Sequence, residues 1–206
     1  MLLGRVSLMR VFCLGDSLTA GFGVRPGQCW RALAARETGF DLIDGGVNGD
    51  TTWSMNYRFR RDVLPCPPDL LFLMGGGNDM MRDGTDRMAR KNFAEIFALA
   101  RSAKIPLMIG LPCPFVPELA RVFWSPDIDY VEAELALSGW VDWLRSQAAA
   151  LDAPICDFWS IFARMTNAQR CDLYIDGLHP RPEGHRLMAL TAAAALREFA
   201  AGGTHL

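Results

Sequence analysis

The sequence predicts an α/β protein whose parallel sheet is covered by helices on both faces. Three observations predict it. Short apolar segments alternate with helix-length segments along the chain, and most of the apolar ones stop at Gly, Pro or Asp. The intervening segments carry the i, i+3, i+4 spacing of helices that lay one face on a core. Strands alternating with helices need crossover connections, and crossovers give parallel pairing.

The first strand is expected at Met9–Leu14, followed by Gly15-Asp16-Ser17. The second is expected at Phe40–Ile43, the third at Leu70–Met74, the fourth at Leu107–Leu111 and the fifth at Ile155–Cys156. Phe93, Ile96, Phe97 and Ala100 fall at i, i+3, i+4 and i+7 and predict a helix between strands three and four. Ile128, Val131 and Leu135 open a further pattern, in a helix that runs to about Ala150. A last helix, from about Pro182 to Ala200, is rich in Ala and Leu and meets a stop at Gly202-Gly203. In open parallel sheets, sites form beyond the carboxyl ends of the strands. Ser17, Gly49 and Asn78 follow the first three strands, and Asp176 and His179 precede the last helix.

Composition narrows the function classes. A chain of 206 residues, half of them hydrophobic, is expected to form one soluble domain over 1–206. A formal net charge of −2 without a long Lys/Arg run points away from nucleic acid as a partner. No apolar run approaches the roughly 18 residues of a membrane span, so stable membrane insertion is not expected. Met1-Leu2-Leu3-Gly4-Arg5 faintly resembles an export signal, but the apolar stretch behind it runs straight into Gly15-Asp16-Ser17. Residues 9–14 therefore read as structure and the protein as cytoplasmic. Cys13, Cys29, Cys66, Cys113, Cys156 and Cys171 are scattered and expected to be reduced thiols. Neither they nor the three histidines cluster, so neither a metal nor another cofactor is expected.

A serine where a buried strand stops and the chain turns is placed to act as a nucleophile, given a base to take its proton. Histidine suits that task. His205 lies in a Gly-flanked tail, and His185, in the first turns of the last helix, reads as a solvated helix residue. His179 is the candidate base. Asp176, three residues earlier across Gly177, can reach the ring nitrogen that faces away from the serine. The oxyanion of acyl transfer also needs donors. Gly49, in Val47-Asn48-Gly49-Asp50-Thr51-Thr52, offers a backbone N–H at a helix start. Asn78 follows three glycines, which strip away side chains and leave room for its amide. That glycine run lacks both the Lys-Ser/Thr ending of a P-loop and the spacing of a dinucleotide fingerprint.

These four blocks, Gly15-Asp16-Ser17-Leu18-Thr19, Asn48-Gly49-Asp50, Gly76-Gly77-Asn78-Asp79 and Asp176-Gly177-Leu178-His179, resemble those of the SGNH superfamily of GDSL-type hydrolases. They occur in order over nearly the whole chain. The resemblance implies a three-layer α/β/α sandwich around a central, mostly parallel five-stranded sheet of flavodoxin-like type. It also implies a metal-free serine hydrolase, with Ser17 as nucleophile, His179 as base and Asp176 as its orienter. The Ser17 and Gly49 N–H groups and the Asn78 side chain would form the oxyanion hole.

The expected reaction is ester hydrolysis of a small or medium acyl substrate, esterase-, lipase- or thioesterase-like, through an acyl-enzyme. Carbohydrate O-deacetylation is the alternative. A non-catalytic binding domain of the same fold should have lost a catalytic residue, whereas every block here is intact. The Pro- and aromatic-rich segment 112–126 follows the fourth strand, and Phe115, Val116, Phe123 and Trp124 are candidates to line an acyl pocket. The segment could equally stack on a sugar ring or pack as an inert cover. Trp53, Tyr57 and Phe59 read as helix-packing residues, and Arg58, Arg60 and Arg61 as a solvated helix face.

Overall fold

The computed structural model describes residues 8–202; the opening Met1–Arg5 segment and His205 lie outside them. Five strands, β1 (Arg10–Gly15), β2 (Asp41–Gly46), β3 (Leu70–Met74), β4 (Leu107–Leu111) and β5 (Ile155–Asp157), form one sheet in the order β2-β1-β3-β4-β5. Every neighbouring pair is parallel. The helices in chain order are α1 (Ser17–Ala20), α2 (Trp30–Thr38), α3 (Thr52–Arg58), α4 (Gly77–Asp83) and α5 (Arg87–Ser102). They continue with α6 (Pro117–Phe123), α7 (Tyr130–Leu151), α8 (Phe158–Ala163), α9 (Asn167–Leu173) and α10 (Pro182–Gly202).

The alternation of side chains along each strand divides the core into two layers. Leu71 and Leu73 of β3, with Ile109 and Leu111 of β4, pack against α3, α4, α5 and α7. Leu70, Phe72 and Met74, with Val11, Cys13 and Met108, pack against α2, α8 and α10. This is the three-layer α/β/α arrangement that the alternating pattern and the resemblance imply. Strands are added to one side of β1 (β2) and then to the other (β3, β4, β5), so the order reverses between β1 and β3, whose carboxyl ends flank a crevice where ligands bind in such sheets.

Three side-chain placements differ from those read in the sequence. In α7 the buried stripe is Tyr130, Ala133, Leu137, Trp140, Val141 and Leu144, while Val131 and Leu135 are exposed. Trp140 sets this face: its ring packs on Phe93 and its Nε1–H donates to the Gly75 carbonyl at 2.8 Å. In α3 and the π-turn behind it, Phe59 is buried but Trp53 and Tyr57 are exposed. Met55, one turn before Phe59, takes the packing role instead. The glycines after β3 make room for the core rather than for the Asn78 amide. Gly76 adopts φ +107°, and a Cβ there would stand 2.5 Å from Nε1 of Trp140. All six cysteines are free.

Candidate active site

The nucleophile turn is built by β1 ending abruptly. Asp16 leaves the strand and caps α1, its Oδ1 accepting the Leu18 N–H at 2.9 Å. Ser17 is the first residue of this four-residue helix, which stops at Gly21 in the left-handed conformation. The turn hangs on the core through Trp30, a fully buried residue whose Nε1–H donates to the Leu18 carbonyl at 2.9 Å. Burial pushes the Asp16 carboxyl up to about 6, against the pull of the Leu18 amide and the charge of His179. Asp79 and Asp50 nearby add to the rise.

Asp176 and His179 arrive from the loop between α9 and α10, pinned by a bridge between Tyr174 and Pro180. Gly177 brings this loop against α6, its carbonyl accepting the Val116 N–H at 2.8 Å. One carboxylate oxygen of Asp176 accepts the Leu178 and His179 backbone N–H groups at 2.9 and 2.8 Å. The other lies 2.8 Å from His179 Nδ1. Burial works to raise the Asp176 carboxyl, but the hydrogen bond and charge of His179 and the two amides outweigh it and hold it below its ordinary range. An ionised carboxylate only accepts hydrogen bonds, so the imidazole proton sits on Nδ1 and Nε2 presents a lone pair. Nε2 lies 2.8 Å from Ser17 Oγ, which donates to it. The Ser17, His179 and Asp176 predicted from the sequence are thus one buried relay, closed across 162 positions of chain.

Gly49 and Asn78 face the same cleft. Gly49 has φ +76° with open space where a Cβ would lie, a backbone conformation that glycine adopts at little cost. Asn78, on the first turn of α4, donates one Nδ2–H to the Asp50 carbonyl at 2.9 Å. Behind it, the Asp79 carboxylate accepts the Thr52 N–H at 3.0 Å and the Thr52 hydroxyl at 2.6 Å. Asn92 donates to the same hydroxyl at 3.0 Å, fixing the start of α3. This arrangement can deprotonate a serine hydroxyl and surround a developing oxyanion with N–H donors. Among the described residues, no group of three His, Cys, Asp or Glu side chains is placed to hold a metal. No helix among them is long and apolar enough to cross a membrane.

Beside the relay opens a cavity of about 620 Å³. Phe115 and Trp124 line it, as the sequence suggests, but Val116 and Phe123 do not. Val116, the residue before α6, is buried in the core, and Phe123 is exposed to solvent. Phe22, Met81, Ile128, Tyr130 and Leu178 complete an apolar wall that sequence reasoning missed. Only Leu178 carried a signal, lying within the Asp176–His179 block. The Phe22 and Trp124 rings stand 4.4 and 5.6 Å from the His179 ring and shield it.

Two further residues depart from their sequence reading. His185 is buried, its Nδ1 accepting the Trp30 N–H at 3.2 Å. Arg58 is buried against Asp50, whereas Arg60 and Arg61 stay at the surface.

Known proteins resemble this chain in sequence and in fold. Residues 13–187 match the model of the GDSL-like Lipase/Acylhydrolase family. The chain is 26% identical over 207 residues to a Bacillus subtilis protein named as uncharacterized lipoprotein YqeF, covering 86% of this chain and 85% of that one. It is 29% identical over 124 residues to an arylesterase of Vibrio mimicus, covering 56% of this chain and 62% of the relative. The crystal structure of a lipase/acylhydrolase from Enterococcus faecalis superposes with a TM-score of 0.75 at 23% identity, over 95% of this chain and 97% of that one.

Proposed function

The chain belongs to the GDSL-like lipase/acylhydrolase family and is an ester hydrolase, and we propose that it cleaves small or medium acyl esters through an acyl-enzyme on Ser17. As Ser17 Oγ attacks the substrate carbonyl carbon, its proton passes to His179 Nε2. The imidazolium that forms is stabilised by Asp176. The carbonyl oxygen takes up negative charge facing the Ser17 and Gly49 N–H groups and the spare Asn78 amide N–H. His179 then returns the proton to the departing alkoxide. In the second half-reaction His179 deprotonates a water, which attacks the acyl carbon; the bond to Ser17 Oγ breaks, His179 returns the proton to that oxygen, and the acid leaves. The acyl group rests against the apolar wall of Phe22, Phe115, Trp124 and Ile128, in a cavity of the size that small-molecule sites use.

The observation that carries this reading is the continuous Ser17–His179–Asp176 relay at 2.8 Å per link, opening on an apolar cavity. Initial rates on p-nitrophenyl esters from acetyl to dodecanoyl test it, with Ser17→Ala as control. Ser17-dependent turnover that improves beyond acetyl supports the acyl-pocket reading. Turnover that peaks at acetyl, with release of acetate from an acetylated sugar, would move the assignment to a deacetylase. Undiminished turnover by Ser17→Ala would overturn the mechanism.

A further inference from the structure

Arg58 carries a charge that the relay does not use, and its surroundings are all close to the oxyanion donors. It is 8% exposed, as is its partner Asp50. Its Nε–H donates to Asp50 Oδ2 at 2.8 Å, and Nη2 also reaches that oxygen. Nη1 donates to the Gly45 carbonyl at 2.7 Å and Nη2 to the Gly15 carbonyl at 2.8 Å. The guanidinium therefore sits across the carboxyl ends of β1 and β2 and uses four of its five N–H groups.

Two of these three anchors, Gly15 and Asp50, adjoin parts of the predicted hole. Gly15 stands two residues before Ser17, and Asp50 directly follows Gly49. The Asp50 carbonyl accepts the amide of Asn78 at 2.9 Å. Gly15 O also accepts the Val47 N–H at 3.1 Å, and Val47 O accepts the Asp50 N–H at 3.1 Å, so the Gly49 loop hangs on the same carbonyl. We infer that Arg58 is a positioning residue for the oxyanion hole, setting the Ser17 turn, the Gly49 amide and the Asn78 amide relative to one another. The proposal rests on the oxyanion-hole reading above and adds a residue that touches no substrate.

A planar fork is what this task needs. Two strand-end carbonyls and a carboxylate lie in different directions, and a guanidinium reaches all three from one rigid group. A lysine ammonium preserves the charge opposite Asp50 but is a single point without that fork. Misplacement of reacting groups on the order of 1 Å can cost about 100-fold in rate.

The test is Arg58→Lys, with Asp50→Asn as a second variant that keeps an acceptor for Nε–H but removes the charge. Both are assayed on p-nitrophenyl acetate below their unfolding temperatures, beside wild type, Ser17→Ala, Asn78→Ala and Arg58→Lys/Asn78→Ala. A positioning role lowers kcat by about tenfold or more with KM held within about threefold. The effect of Arg58→Lys then shrinks in the Asn78→Ala background, because both substitutions act on one hole. Wild-type kcat in either folded variant overturns the proposal, as does an Arg58→Lys effect of the same size with or without Asn78. Failure of both variants to fold at any temperature would assign the cluster to folding and also overturn it. Full turnover by Ser17→Ala would instead sink the hydrolytic mechanism, and so separates the two failures.

Discussion

Acid should destabilise this protein through one histidine that plays no part in catalysis. His185 of α10 is 1% exposed, and the only hydrogen bond of its ring among the described residues is the one accepted by Nδ1 from the Trp30 backbone N–H. Burial, with a smaller contribution from the charge of His179, pushes its imidazole down to about 4 from an ordinary 6.5. The unfolded chain therefore takes up a proton between these values while the folded chain does not. The stability this represents is fully present above about pH 6.5 and is lost as pH falls through about 4. The gap, at about 1.4 kcal/mol for each pH unit, amounts to about 3 kcal/mol. That is a large share of the roughly 5–15 kcal/mol that holds a domain folded. The Asp16 carboxyl, pushed up to about 6, acts with the opposite sign and gains stability as pH falls. Comparison with His185→Asn removes that opposing contribution, because the variant keeps Asp16 and offers an amide oxygen to the Trp30 N–H. Urea unfolding at pH 7, 6, 5 and 4 should show wild type losing about 3 kcal/mol relative to the variant. Parallel stability curves from pH 7 to 4 would refute the reasoning. Trp30 also holds the Leu18 carbonyl, so wild-type activity should fall with the same acid transition.

Three other outcomes follow from the geometry. Asn78→Ala should lower kcat by about 10²–10³-fold in a folded protein, the usual cost of one oxyanion donor, and steady-state kinetics on an acetyl ester would show it. Gly76→Ala meets both a positive φ and the Trp140 ring, and should lower stability by about 2 kcal/mol or more, read as a drop in urea midpoint. Trp124→Ala opens the cavity wall and should raise KM for an octanoyl ester by about tenfold, equivalent to about 1.4 kcal/mol of apolar contact. KM for the acetyl ester should change far less.

The parts of the molecule that were legible in the sequence are those whose determinants are local. Leu70–Met74 and Leu107–Leu111 are strands with the bounds their apolar runs predict, because a central strand buried on both faces has no polar residue to blur its ends. The second strand instead runs through Asp44, Gly45 and Gly46, since at the sheet edge Asp44 can face outward and pair with Arg31. Asp176 and His179 were readable because three residues of turn suffice to join them. What stayed hidden depends on partners far along the chain. Arg58 is buried by Gly15, 43 positions away, and His185 by Trp30, 155 positions away. His185 does share the buried stripe of α10 with Met188, Ala189 and Ala192 at i+3, i+4 and i+7, so helical periodicity was its one local signal. The α7 face was misread for the same reason, because its register is set by Trp140 meeting Phe93 and Gly75. Phe22 and Met81 reach the cavity wall from two separate segments, and nothing within either segment singles them out, whereas Trp124 was readable from the aromatic-rich stretch after the fourth strand.

The central claim is that Ser17, activated by His179, becomes covalently acylated. Incubation with a fluorophosphonate, followed by intact-mass and peptide mass spectrometry, tests it directly. The account predicts one adduct per chain on the peptide containing Ser17, loss of esterase activity in step with labelling, and no adduct in folded His179→Ala. Inactivation with Ser17 unmodified, or labelling that proceeds equally without His179, would contradict it.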